Sequence, residues 1–404
     1  MAKPVVTIFY QFDPWNSSLG GIQTTIRSYI KYAPEAFRVR MVGTSDSSHH
    51  VVGAWQQEQL AGREVDFLPL FRLPNDNFKS RVPVTASYTA ALARWRFEGD
   101  FFHFHRLEPT LVTRRWPGDK TLFVHNDLEQ QRQAQPWRQL AGVYGAIERW
   151  VLPQFSEVLS CNSASTAFYR RQYAHLAKRV HDLRNTVDEE VFYPLGGEER
   201  LRQRRALAAQ MGLGEETRFL LFAGRLQAQK DPLLLVRAFA RLEQTDVHLL
   251  VAGTGDLLTA VREEVGRLGL QKQVSLLGPV SQERLAVLHR LSSAFVLASA
   301  YEGLPMVALE ALASGTPVIT TDCGETPRLL VPGSGSVCRE RTPEALAAAL
   351  GHLLRCPQAF AAGDCLRAAA PYSARSVVGE VYGRMFDRWQ RRSSGRATVR
   401  PASC

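Results

Sequence analysis

Short apolar runs alternate with stretches of helical spacing along most of the chain. "PVVTIFY" reads as a first strand, and "IQTTIRSYIKYA" after "SLGG" repeats its apolar residues with a helical period. "FRVRMVG", "DFFHFH", "TLFVH" and "EVLSCNS" give four further strands in the first half. Strands alternating with helices at this spacing predict βαβ units and a parallel sheet. A polar stretch with Pro and Gly, "NTVDEEVFYPLGGEERLRQRR" (185–205), predicts a linker. "RFLLFAGRL" then opens a second series, followed by "VHLLVAGTG", "VSLLGPV", "AFVLAS", "TPVITTD" and "GSVC". The expected fold class is α/β, with two Rossmann-like doubly wound domains over 1–195 and 196–372. Val377, Val378, Val381, Tyr382, Met385, Phe386 and Trp389 predict a helix over 373–392 that buries one face. The Arg-rich segment 393–404 reads as disordered.

Composition is that of an ordinary globular protein, with 45% apolar and 22% charged residues among 404. No apolar run is long enough to span a bilayer, and the N-terminus reads as a strand rather than a signal peptide, so a cytoplasmic location is expected. The six cysteines form no CxxC pair, which argues against structural zinc and for free thiols. A net charge of +10 suits an anionic substrate or lipid surface. Without a zinc-finger or RNA-recognition motif it does not point to nucleic acid.

Two glutamates in "SAYEGLPMVALEALASGTPVI" (299–319) stand out in an otherwise nearly apolar stretch. Pro305 suits the start of a helix and Gly315 its end. Glu302 then lies on the loop after a strand, beside Gly303, and Glu310 on the second helical turn. Loops at the carboxyl ends of parallel strands bind ligands, and a carboxylate there can accept hydrogen bonds from sugar or ribose hydroxyls. Solvated glutamates near a helix N-terminus are the plainer reading, which the apolar neighbours of Glu310 fit poorly. In "FAGRLQAQKDP" (222–232) Arg225 and Lys230 share one strand-end loop. Arginine with its bidentate fork and lysine as a point charge suit a diphosphate. "AGTGD" (252–256) adds a glycine turn at Gly253.

"GRLQAQKDP", "AGTGD" and the E-x7-E stretch, in this order, resemble glycosyltransferase family 4, a large retaining group with the GT-B fold. The resemblance implies two Rossmann-like domains facing across a cleft, an acceptor-binding first domain, a nucleotide-sugar-binding second domain, and a C-terminal helix crossing back to the first. It places Arg225 and Lys230 on the donor diphosphate, Glu310 on the ribose, and Glu302 with Gly303 and Leu304 on the donor sugar. It gives Gly20 and Gly21 weight as a donor-phosphate loop, His125 as a sugar contact, and Asp127, Asn162 and Ser163 as weaker acceptor or sugar contacts. Glu302, His125, Arg225 and Lys230 are the catalytic candidates. Two departures are visible: Thr186 stands where the family has glycine, and in "DCGETP" Cys323 and Pro327 replace a glycine and an acidic residue.

The implied reaction moves a hexose-type sugar from a UDP- or GDP-sugar donor to a hydroxyl of a glycan, a glycolipid or another lipid-linked or small-molecule acceptor, with retention. No D-x-D motif occurs, so neither metal nor another cofactor is expected. Six of the seven tryptophans and several Arg clusters lie in the first half, which makes an anionic membrane surface a further candidate partner. A sugar-nucleotide epimerase on the same scaffold and a catalytically silent sugar-binding partner are the alternatives.

Overall fold

A computed structural model describes residues 3–15, 21–73, 82–125, 145–161 and 163–397, the last five by backbone alone. The chain divides into two compact units, Met1–Asn185 with Arg375–Cys404, and Thr186–Ala374. The division falls before the expected residue 195 because Val187 and Phe192 are buried in the second unit's core. Much of the polar stretch expected as a linker is a helix, Gly197–Gln210, that buries Leu207 and Ala208 there.

The first unit holds β1 (Val5–Phe9), β2 (Arg38–Ser45), β3 (Gln56–Leu60), β4 (Arg63–Arg72), β5 (Phe101–Phe104), β6 (Asp119–Val124), β7 (Glu157–Ser160) and β8 (Val180–Asp182). Their order is β3-β4-β2-β1-β5-β6-β7-β8, parallel except for β3, which runs antiparallel to β4. That hairpin turns at Ala61 and Gly62, both with positive φ. The wholly parallel sheet expected from the sequence is corrected by this edge. A two-residue loop with both φ values positive matches strand twist, but Ala-Gly is a weaker signal for it than Asn-Gly. Alternate β1 residues serve opposite faces. Val6 and Ile8 join one core, and Phe9 joins the other.

The C-terminal helix Ala374–Ala397 closes the first of these cores with Val377, Val378, Val381, Tyr382 and Met385. Arg384 and Arg388 on this helix reach Glu157, and Arg388 also reaches Asp119, at 2.7 to 3.0 Å. Both carboxylates are 1% exposed. The helix continues to Ala397, into the segment expected to be disordered.

The second unit holds β9 (Arg218–Ala223), β10 (Val247–Ala252), β11 (Val274–Gly278), β12 (Ser292–Leu297), β13 (Val318–Thr321) and β14 (Gly335–Cys338). All pairs are parallel, in the order β11-β10-β9-β12-β13-β14. Helices cover both faces, so β9 is an unbroken apolar run: Leu220 and Phe222 face one core, Phe219 and Leu221 the other. Strand order reverses between β9 and β12 here, and between β1 and β5 in the first unit. Open α/β sheets bind ligands at the carboxyl ends of strands flanking such a reversal.

Candidate functional site

At the reversal in the second unit, the loops after β9 and β12 are tied together. The Ala300 N–H donates to Gln229 O at 2.8 Å, and Gln229 Nε2 donates to Tyr301 O at 3.1 Å. Across them, Lys230 Nζ is ion-paired with Glu302 Oε1. The Ser299 hydroxyl donates to the same oxygen at 2.6 Å. Both charged side chains are largely enclosed, Glu302 at 6% exposed and Lys230 at 16%. Asp231 starts the following helix, Pro232–Phe239, by accepting from the Leu234 N–H, which ends the lysine loop at a fixed point.

Glycines let these loops touch. Gly253, after β10, has φ +131°, and a Cβ there would lie 1.9 Å from Gly224 O. Gly324, with φ +61°, would place a Cβ 2.1 Å from Glu302 O. In "DCGETP" it is therefore Gly324 whose backbone lies against the Glu302 loop. Cys323 instead lays its thiol 3.4 Å from Ser299 O.

The helix after Glu302 spans Met306–Ala313. It ends as the sequence predicts: Gly315 has φ +74°, its N–H donates to Leu312 O, and the Thr316 N–H donates to Ala311 O. Pro305 sits just ahead of the helix, as its cap. Leu304 and Val307 pack on the core. Glu310, on the second turn, is 7% exposed and its Oε2 has no hydrogen-bond partner. Burial pushes its pKa up to about 7. A buried carboxyl oxygen without a donor is uncommon and is what a ligand hydroxyl would satisfy. Arg225 is exposed and forms no side-chain hydrogen bond or ion pair with a described residue. Gly303 is exposed, and its carbonyl accepts from the Glu325 N–H at 3.1 Å. The structure thus brings Lys230 and Glu302 into contact, sets Gly253 against the Arg225 loop, and buries Glu310 behind them on the next helix.

In the first unit, Gly21 is exposed at the start of the helix Gly21–Lys31, and Ser163 begins the helix Ser163–Gln172. Gly20, Asp127 and Asn162 lie outside the described residues. His125 follows β6, half-buried, with its carbonyl accepting from the Cys161 thiol at 3.3 Å. Burial, then the Arg106 charge, lowers its pKa to about 4. Its Nε2 lies 2.9 Å from His105 Nδ1. His105 follows β5, next to the strand reversal, and was not singled out from the sequence. The alternation in "HFH" (103–105) is the signal that could have found it.

Among the described residues no helix is long and apolar enough to cross a membrane. Their five cysteines are all free.

Residues 175–365 match the family model described as glycosyl transferases group 1. A D-inositol 3-phosphate glycosyltransferase of Streptomyces griseus is 34% identical over 207 residues, 47% of this chain and 44% of that protein. Matches to the first curated relatives span 33% to 44% of their own length. Among solved structures, the sucrose-phosphate synthase of Thermosynechococcus elongatus aligns with a TM-score of 0.74 at 19% identity, over 95% of this chain and 100% of that one. Anabaena HepE, solved in complex with UDP and glucose, aligns with a TM-score of 0.69 at 15% identity, over 95% and 100%. The chain has the GT-B fold, and its residues 175–365 are similar to the glycosyl transferases group 1.

Proposed function

We propose that the protein is a retaining, metal-independent glycosyltransferase that moves a hexose-type sugar from a UDP- or GDP-sugar to a hydroxyl of a glycan, glycolipid or other lipid-linked or small-molecule acceptor. The observation that carries this is the pairing of two built features at one strand reversal. One is the Lys230–Glu302–Ser299 cluster, and the other is the buried, partly unpartnered carboxyl of Glu310. Sugar nucleotides present hydroxyls for carboxylates and a diphosphate for cations. The named relatives lend support: one is called a glycosyltransferase, and one was solved with UDP and glucose.

In this reading Glu310 accepts from the ribose hydroxyls. Arg225 and Lys230 take the negative charge that grows on the diphosphate as the glycosidic bond breaks. Gly21, at the exposed start of its helix, offers its backbone N–H to an anion. Glu302, fixed by two donors, holds the sugar near its reacting carbon, with Gly303 and Leu304 shaping the pocket. His125 touches the transferred sugar, and Ser163 is a weaker acceptor or sugar contact. The departing phosphate takes the acceptor proton on the same face of the sugar, which gives retention without a second carboxylate. An anionic membrane surface is a further proposed partner, tested by flotation with anionic vesicles at low salt.

The test is donor turnover without added acceptor. Purified protein is incubated with single sugar nucleotides, and the released sugar is followed by proton NMR. Slow release of one nucleoside diphosphate, with the freed sugar first appearing in the donor's anomeric form, is the predicted result. Release of the opposite anomer would overturn retention. Interconversion to another sugar nucleotide would favour an epimerase.

A further inference from the structure

Three nearly parallel rings stand at the carboxyl ends of β5 and β6. Phe123 stacks on His105 with centroids 4.5 Å apart and planes 12° off parallel. His105 in turn lies edge to edge with His125, with centroids 5.1 Å apart and planes 16° off parallel. Along that shared edge His105 Nδ1 and His125 Nε2 are 2.9 Å apart, so one proton lies between them. His105 is 3% exposed, and its other nitrogen, Nε2, is buried with no hydrogen-bond partner. His125 is half-buried, and its Nδ1 has no partner among the described residues.

These facts restrict the tautomers. If His125 donated the shared proton, neutral His105 would carry its own on Nε2, as a buried N–H with nothing to accept it. Such orphaned donors are rarer than unpaired acceptors. If His105 donates from Nδ1, its buried Nε2 is a bare lone pair, and His125 accepts on Nε2. A neutral His125 then has its proton on Nδ1, the edge without a partner among the described residues. The rings remain neutral near pH 7. Burial, then the charges of His125 and His103, hold His105 well below the usual histidine range, and burial with Arg106 holds His125 at about 4.

We infer that His105 is a positioning residue that fixes His125 in the tautomer protonated on Nδ1, so that His125 offers its ligand a hydrogen-bond donor and not a base. The role of that donor rests on the reading of His125 as a sugar contact. It assigns His125 to holding an acceptor oxygen of the transferred sugar. It excludes proton abstraction from the acceptor hydroxyl by this imidazole. The second nitrogen of an imidazole is set by the bond the first one makes, and here the first is committed to His105.

The test is two-bond proton–nitrogen NMR on the full chain carrying labelled histidine, with His125 assigned by its loss in His125→Gln. At about pH 7.5 the wild type is predicted to show Nδ1 protonated and Nε2 bare. His105→Phe keeps an aromatic ring against Phe123 but removes the donor, and should shift His125 toward the Nε2-protonated form. His105→Gln returns an N–H donor and should restore the wild-type pattern. Donor turnover should follow, falling about five- to tenfold in His105→Phe and recovering in His105→Gln. Melting shifts with UDP or GDP should stay at the wild-type value throughout. A wild-type His125 protonated on Nε2, or one unmoved by His105→Phe, overturns the inference. If His105→Phe does not fold, the wild-type proton position decides alone. A chain that binds no nucleotide and turns over no donor, yet shows the predicted tautomer, sinks the transferase reading and leaves the His105–His125 relationship standing.

Discussion

Lys230 Nζ and Glu302 Oε1 form an ion pair that joins the loops after β9 and β12, and the Ser299 hydroxyl adds a third member at 2.6 Å. Each charge holds the other in place before any ligand arrives. Removing one partner of an enclosed pair leaves the other desolvated, at a cost of about 3 kcal/mol. Lys230→Ala should therefore lower the melting temperature and also weaken nucleoside diphosphate binding about ten- to a hundredfold, the worth of a charge-assisted contact. Glu302→Gln keeps the Ser299 contact, and should bind nucleotide almost normally while losing turnover. Titration calorimetry and donor turnover on both variants check this. A Lys230→Ala protein with wild-type nucleotide affinity would remove Lys230 from the diphosphate.

Glu310 makes stability depend on pH. Its folded pKa of about 7 lies above the ordinary glutamate value of 4.5, so between those values the folded chain holds more protons than the unfolded one. The stabilisation it lends is full below about pH 4.5 and is lost as pH rises through 7, by about 3 kcal/mol in all. Glu310→Gln cannot ionise, so its melting temperature should gain on the wild type from pH 5 to pH 8. Nucleotide binding has the opposite slope, because ribose hydroxyls donate to the ionised form. Affinity should rise with pH up to about 7 in the wild type, beyond the change seen in Glu310→Gln, which carries the nucleotide's own titration. Parallel curves for the two proteins would contradict the assignment.

The Gly253 backbone leaves no room for a side chain: a Cβ would meet Gly224 O at 1.9 Å, at φ +131°. Gly253→Ala should cost about 3 kcal/mol or more, read by chemical denaturation. Gly303→Ala adds a methyl to open space and should change stability by less than about 1 kcal/mol. Equal losses in the two would contradict the close approach at Gly253.

Arg388 bonds both Asp119 and Glu157, each 1% exposed, and so holds the C-terminal helix to the starts of β6 and β7. Arg388→Ala should destabilise by about 3 to 5 kcal/mol, and truncation at Ala374 should unfold the first unit, because Val378, Tyr382 and Met385 complete its core. Proteolysis and circular dichroism of the truncated chain would reveal a stable first unit if this is wrong.

The second unit was the more legible half. Its four inner strands, β9, β10, β12 and β13, are buried on both faces, and each ends in a glycine or polar turn, so period and punctuation agreed. The Glu302 loop, the helix bearing Glu310 and its Gly315 stop followed from local rules alone. Local pattern failed where tertiary contact decides. The β3–β4 hairpin joins a polar edge strand, β3, to the buried β4 through an Ala-Gly turn. The helix Gly197–Gln210 is polar on most of its surface and buries little beyond Leu207 and Ala208. The short β8 and the packing of Thr186–Leu195 against the second unit also had no local signature. His105 was hidden for another reason. Its place beside His125 depends on the pairing of β5 with β6, twenty residues apart in sequence.

Nucleotide binding is the most direct measurement. Melting temperatures are recorded with UDP, GDP, ADP and dTDP, and with their monophosphates, for wild type and Lys230→Ala. At a hundred times its dissociation constant a ligand adds about 2.7 kcal/mol, a shift of a few degrees in a chain of this size. The predicted result is a shift by one nucleoside diphosphate, a smaller one by its monophosphate, and in Lys230→Ala a diphosphate shift cut to about half or less. No shift by any nucleotide, or an equal shift in wild type and variant, would contradict a sugar-nucleotide site at Lys230 and Glu302.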